Sequence, residues 1–434
     1  MNLRRFEDII AIETADGIIA YHGRNLEVAE LSHEAYQNMS PIDLHTNSVP
    51  DSKLTTDDAS KYLRLWQSEE NPEVKSGTVN FGIKSLTLNV TQICNLKCTY
   101  CAAGGDGTYG DPVTRIQVEK TLPQLKFFLE KLPNGSSFNL SFVGGEPFLY
   151  PEGMKAIYDY IELESAGRGI KCKYMVTTNG TLITEAVTEM LKTMKIHVTV
   201  SLDGEADIND TVRPGKDGKS STAQTLNGIK NLVSIRSHLA SIGISGVYNS
   251  QNLNVKKSYL FFKTLKADWY EFNFSYTEKN KAAQAEYLLQ MKEIAELAWT
   301  SGGEVELRKI KAFNTYFDTL DSQQRIENFC GAGKSYLMID AKNQLYTCPW
   351  VVGENSEVVG TGSSLNMAKL EKYQKPLIEL NNCQTCWARF MCGGGCMFIN
   401  RAHTGDKHLK DEMFCERTRS LILLAILYYK KARA

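Results

Sequence analysis

The residues of this chain best suited to chemistry are three cysteines in one short stretch, Cys94-Asn95-Leu96-Lys97-Cys98-Thr99-Tyr100-Cys101. Their C-x3-C-x2-C spacing carries an aromatic residue before the last thiol. Three thiolates can hold three irons of a four-iron cubane and leave the fourth iron open to another ligand. A zinc knuckle or loosely packed thiols would use the same residues. Zinc, however, takes four N or S ligands, or three including histidine, and the loop has no histidine. The preceding run, Ser85-Leu86-Thr87-Leu88-Asn89-Val90-Thr91, alternates as a buried strand does. The cysteines then leave the C-terminal end of a strand, where parallel α/β folds place their chemistry.

A second set of thiols lies downstream: Cys330, Cys348, Cys383, Cys386, Cys392, Cys396 and Cys415. A zinc ribbon would strand three of these seven, whereas two iron-sulfur clusters, one with four cysteines and one with three, absorb them all. Gly393-Gly394-Gly395 allows a tight wrap between Cys392 and Cys396. His403 and His408 nearby read as surface histidines, and Cys172, outside both sets, as a structural thiol.

The strand Phe138–Val143 ends in Gly144-Gly145-Glu146-Pro147, two glycines that permit close backbone approach and a carboxylate that can receive an ammonium group. With this element behind the cysteine triad, the chain resembles the radical S-adenosylmethionine (SAM) enzymes. That resemblance implies SAM contacts from Tyr100, Gly144, Gly145 and Glu146, with Glu146 on the methionyl ammonium. It implies ribose and carboxylate contacts from Asn179 and Ser201, and adenine packing on Val247. Arg213 suits either the SAM carboxylate or a loop salt bridge. The tail, including Asp340-x2-Asn343-x4-Cys348, resembles the SPASM extension, with Asn343 where glycine is usual; Asn tolerates the left-handed turn. By the same resemblance Cys94, Cys98 and Cys101 hold the SAM-binding [4Fe-4S] cluster. Cys330, Cys348 and Cys396 hold a first auxiliary cluster, and Cys383, Cys386, Cys392 and Cys415 a second. The family's occasional additional early cysteine ligand is absent, which leaves the first auxiliary cluster an open or borrowed site.

Elements must position these groups. Further strands are expected at Lys173–Thr177, His197–Val200, Ile242–Tyr248 and Trp269–Ser275, with a helix over about 113–131. Six β units separated by helical stretches predict an α/β fold, a partial (β/α)6 TIM-type barrel. Before it, runs at 9–12, 17–21 and 26–31 read as a three-stranded meander. Ser32 reads as an N-cap, a second helix is expected from Thr55 or Thr56 through Trp66, and a linker over 71–82. Strands then helices resemble the small α+β peptide-recognition element (RRE-like) of radical SAM maturases. The alternative is a structural cap. The expected domains are 1–80 (RRE-like), 81–310 (barrel) and 311–434 (SPASM).

At 434 residues, 42% hydrophobic and 23% charged, the chain can bury a substantial core. A net charge of -1 argues against an electrostatic grip on nucleic acid. No signal core or membrane-length apolar run is present, and Leu421–Tyr429 reads as a buried terminal helix. Eleven cysteines then point to a reducing cytoplasm and metal or redox use. The resemblance implies an enzyme that generates a 5'-deoxyadenosyl radical to modify a ribosomally made precursor peptide, recruited by its leader, with a thioether or carbon-carbon cross-link as product. Electrons would come from a flavodoxin- or ferredoxin-type donor. A sulfatase-type maturase forming formylglycine is the alternative, disfavoured because Pro349-Trp350 follow Cys348 where that group has an Asp. A non-enzymatic electron carrier would leave the GGEP and strand-end motifs without a use.

Overall fold

The apolar runs between residues 85 and 275 pair side by side in chain order. The computed structural model describes residues 2–43, 82–101 and 114–434. The expected helix from Thr55 or Thr56, the linker apart from Gly82, and the loop after Cys101 lie outside the described residues. These residues fall into two compact units, one formed from 2–43, 284–330 and 375–434, the other from 82–101, 114–283 and 331–374.

In the first unit, β1 (Leu3–Phe6), β2 (Ile9–Thr14), β3 (Gly17–His22), β4 (Glu27–Leu31) and β5 (Ser40–Ile42) form an antiparallel sheet in the order β4-β3-β2-β1-β5. The meander is therefore five strands, not three. β1 and β5 escape a pattern search because one carries two arginines and the other a proline. Ser32 does cap the helix His33–Gln37, its Oγ accepting from the Ala35 N-H at 3.2 Å. One face of this sheet shares a core with the C-terminal region: Leu3, Ile10, Ile12 and Tyr21 pack with Trp387, Met391, Ile422 and Ile426. The terminal helix is Glu412–Lys431, capped by Asp411 and buried through Ile422–Ile426.

The second unit holds six parallel strands, β6 (Ser85–Asn89), β7 (Ser137–Val143), β8 (Lys171–Thr178), β9 (Ile196–Ser201), β10 (Ser241–Tyr248) and β11 (Trp269–Phe274), adjacent in that order. Helices fall between them, beginning with Val118–Glu130, so the expected β/α repeat forms and the strand alternation dictates two faces. Leu86, Leu140, Phe142, Val198, Val200, Ile242 and Ile244 are wholly buried, each such side chain worth about 1.5–3 kcal/mol of transfer free energy. Among the described residues no strand pairing closes the sheet. β6 pairs on its other side with β12 (Tyr336–Ile339), which continues antiparallel through β13 (Gln344–Tyr346), β14 (Val358–Thr361) and β15 (Ser364–Leu365). The β12–β13 turn holds Asn343 at φ +62°, the left-handed conformation anticipated for it, with Asp340 accepting from the Lys342 and Gln344 N-H groups. Among the described residues no helix is long and apolar enough to cross a membrane.

Candidate active site

The cysteine loop leaves β6 and is clamped from two sides. On one side the Gly145 and Glu146 N-H groups donate to the carbonyls of Thr91 and Ile93, each at 2.7 Å. A Cβ on Gly145 would fall 2.1 Å from the Ile93 oxygen, and one on Gly144 2.5 Å from the Thr91 oxygen. The glycine pair is thus required for the approach of β7 to the cysteine loop itself. On the other side Lys97 and Thr99 donate their N-H groups to Pro214 and Val212, each at 2.9 Å.

Glu146 is fully buried, and its carboxylate accepts from the Phe148 N-H (3.1 Å), the Thr178 hydroxyl (2.7 Å) and the Asn179 N-H (2.7 Å). Burial raises its pKa while these donors pull it down. It fastens the end of β8 to the end of β7, a role sequence reasoning did not assign. Asn179 in turn donates to Asn95 Oδ1 at 2.8 Å, inside the cysteine loop, and its amide lies 3.9 Å from Cys94 Sγ.

Tyr100 donates to Asp203 Oδ2 at 2.6 Å and accepts from Arg213 at 2.8 Å. Asp203 is fully buried, and its second oxygen accepts from the Val247 N-H at 2.9 Å. One carboxylate thereby joins the cysteine loop, the end of β9 and the end of β10. Arg213 is buried, and its hydrogen bond in this network goes to the Tyr100 hydroxyl. Burial pushes Tyr100 up, with Arg213 opposing, so the phenol stays a neutral donor. Asp203 went unassigned in the sequence; its one local signal is the Asp203-Gly204 turn after a strand.

Ser201 is half-buried at the end of β9, in register with Ser245 on β10, which is in register with Glu271 on β11. Ser245 donates to Glu271 at 3.0 Å and accepts from Asn273 at 3.2 Å. Tyr270 and Phe272 point the other way, against Tyr259 and Phe262 of the covering helix Val255–Phe262. The face carrying Ser201, Ser245, Val247, Glu271 and Asn273 is polar and partly open. An open polar cleft lies beside Thr99 and Tyr100, bounded by residues 249–251 and 277–278 beyond β10 and β11.

Cys94 is buried, Cys98 half-buried and Cys101 exposed. Burial pushes Cys94 up to about 11, and its neighbours Cys98 and Cys101 add to the rise. In the other unit, Cys383, Cys386, Cys392 and Cys415 line one cavity together with Arg389, Lys410 and Arg419. Four thiols ringed by cations fit a group whose net charge is negative. Among the described residues no three His, Cys, Asp or Glu side chains close on a single ion. Cubane thiolates each bind a different iron and need not. Cys330 and Cys396 belong to this unit and interact electrostatically, while Cys348 belongs to the unit of the parallel sheet. Gly393, Gly394 and Gly395 all have positive φ (71°, 92°, 80°), and a Cβ on Gly393 would lie 2.6 Å from the Phe329 nitrogen. His403 is not a surface residue: its side chain is 8% exposed and its Nδ1 lies 3.1 Å from Asp411, the cap of the terminal helix. Half-buried His408 meets Asn381 at 3.1 Å. Cys172 donates to Ser165 Oγ at 3.2 Å, as a structural thiol would.

Residues 88–252, from the end of β6 past β10, match the family model "Radical SAM superfamily". The chain carries a radical SAM domain. Over 293 residues the chain is 29% identical to the uncharacterized protein MJ0907 of Methanocaldococcus jannaschii (67% of this chain, 93% of the relative). The mycofactocin maturase MftC of Mycobacterium tuberculosis is 26% identical (72% and 78%). The serine-type anaerobic sulfatase-maturating enzyme of Klebsiella pneumoniae is 24% identical (70% and 76%). In fold, the chain resembles anSMEcpe with bound AdoMet, with TM-score 0.66, 20% identity and coverage of 80% and 99%. It also resembles Streptococcus suis SuiB bound to precursor peptide SuiA, with TM-score 0.53, 15% identity and coverage of 95% and 100%. The matched domain is of a superfamily that uses a [4Fe-4S] cluster and SAM.

Proposed function

We propose that this enzyme oxidatively modifies a ribosomally made precursor peptide, forming an intramolecular thioether or carbon-carbon cross-link. The observation that carries the reading is the cysteine loop held at the strand ends beside a polar, partly open sheet face. That arrangement suits a cofactor at the mouth and an extended, hydrogen-bonding substrate within reach. A relative named as a mycofactocin maturase and fold neighbours bound to peptides support the choice of substrate class.

Cys94, Cys98 and Cys101 would hold the cluster, and Tyr100, Gly144, Gly145, Glu146, Asn179, Ser201 and Val247 would surround SAM. With SAM bound, such a cluster supplies one-electron reductive cleavage and hydrogen-atom abstraction. The chain's own part is positional. The glycine strap fixes the loop, and the Tyr100–Asp203–Arg213 network locks its last turn. Because Glu146 already accepts three hydrogen bonds, an ammonium would add to a formed site. We assign Cys383, Cys386, Cys392 and Cys415 to one auxiliary [4Fe-4S] cluster and Cys330, Cys348 and Cys396 to another. These would take the second electron of the substrate oxidation, and a flavodoxin- or ferredoxin-type donor would supply the first.

Formylglycine formation on a sulfatase is the second reading, favoured by the Klebsiella relative. The test is anaerobic: reconstituted protein, dithionite, SAM and the short peptide encoded beside the gene, followed by mass measurement. Loss of two hydrogens with matching 5'-deoxyadenosine is expected. 5'-Deoxyadenosine with an unchanged peptide, together with turnover of a Ser- or Cys-type sulfatase peptide, would transfer the assignment to the second reading.

A further inference from the structure

The N-terminal sheet reaches directly into the four-cysteine loop. Arg5, on β1, is 1% exposed; its Nε donates to the Glu7 carbonyl at 2.6 Å and its Nη2 to the Thr385 carbonyl, between Cys383 and Cys386. Arg389, 7% exposed, donates to the Cys386 carbonyl at 2.9 Å and also lines the cavity those cysteines share. Asp8, in the β1–β2 turn, takes both Arg389 nitrogens at 2.6 and 3.0 Å. The backbones meet without slack, since a Cβ on Gly23 would fall 2.2 Å from the Trp387 oxygen, and Tyr21 packs edge-on to the Trp387 ring at 6.1 Å. Two buried guanidiniums and one nearly buried carboxylate, two of the three supplied by the N-terminal sheet, therefore surround the ligand loop. Arg24 also meets Asp8, but it is 58% exposed and its charge is solvated.

We propose that Arg5 and Asp8 are positioning residues that set the reduction potential of the cluster held by Cys383, Cys386, Cys392 and Cys415, with Arg5 raising it and Asp8 lowering it. The inference rests on the auxiliary-cluster reading above. Reduction adds one negative charge to the cluster. A cation fixed in a low-dielectric surrounding stabilises the reduced form more than the oxidised one, and a carboxylate does the reverse. Guanidinium hydrogen bonds to the Thr385 and Cys386 carbonyls also orient the loop that presents two of the thiolates. The sheet read as a peptide-recognition element thus forms one wall of the auxiliary site, and whatever moves β1 alters the ease with which that cluster takes an electron.

The experiment is a potentiometric titration of the fully reconstituted full-length protein followed by low-temperature electron paramagnetic resonance. The signal missing from Cys392→Ala marks the cluster concerned. Arg5→Gln is expected to shift that signal to more negative potential, Asp8→Asn to shift it to more positive potential, and Arg5→Lys to leave it near the parent value. The signal that SAM perturbs should not move. A purely structural staple would give no shift or the same direction for both neutralising variants, and either result overturns the proposal. If Arg5→Gln loses iron, the direction found for Asp8→Asn decides. Iron counted per chain keeps the premises separate: no iron lost on Cys392→Ala sinks the auxiliary-cluster reading and this inference with it, whereas iron lost and potentials unmoved sinks the inference alone.

Discussion

The phenol of Tyr100 and the carboxylate of Asp203, 103 residues apart in sequence, meet at 2.6 Å, and Arg213 closes on the same hydroxyl at 2.8 Å. The aromatic residue of the cysteine motif therefore acts as a latch. Asp203→Ala would leave the buried Tyr100 hydroxyl and the Val247 N-H without their acceptor. A buried donor left unsatisfied costs about 1–3 kcal/mol. Denaturant unfolding should show a loss of that order, with a smaller loss for Asp203→Asn, and reconstituted Asp203→Ala should bind less iron.

Gly145→Ala places a methyl group where the Ile93 carbonyl stands, 2.1 Å away, with only backbone to yield. Overpacking of this kind costs about 1–3 kcal/mol. The larger effect is expected on the first cluster, since the displaced backbone runs straight into Cys94. Gly167→Ala, at a helix C-cap with φ −66° and open space around it, should change neither stability nor iron content.

Burial pushes Cys94 and Cys383 each up to about 11 from 9.0. In the iron-free protein these thiols stay protonated when folded, whereas unfolded ones ionise earlier. Their contribution to stability is complete below about pH 9 and is lost as the pH rises toward about 11. The melting temperature of the apo protein should fall across that window, and less steeply in Cys383→Ala. Cluster loading carries the opposite sign, because iron displaces the proton. The yield of the visible charge-transfer band should therefore rise with pH on the approach to about 9.

Ser245, Glu271 and Asn273 stand on the open polar face near the strand ends, away from the cysteine loop's own hydrogen bonds. Glu271→Gln should preserve 5'-deoxyadenosine formation and reduce peptide product, so the ratio of deoxyadenosine to modified peptide rises severalfold. That ratio, measured in one assay by chromatography and mass spectrometry, is the check.

The six-strand repeat was legible because each strand is a short apolar run ended by polar or glycine residues, a purely local signal. The cysteine triad and GGEP were legible for the same reason. Contacts made over long sequence distances were not. Glu146 reads as a ligand for an ammonium, yet its partners Thr178 and Asn179 lie more than thirty positions on. β1 left no signal because nothing local tells Arg5 that its carbonyl partner stands at Thr385. β12 to β15 are strands of two to four residues, too short for any periodicity to register.

The shared core of β1–β3 with Trp387, Met391 and the terminal helix has a consequence for biogenesis. Strands β1–β3 are made long before their partners some 380 positions later, so this unit cannot close until those partners have been synthesised. The cavity shared by Cys383, Cys386, Cys392 and Cys415 is complete only then, and a chain terminated ahead of Trp387 would expose the apolar face of this sheet.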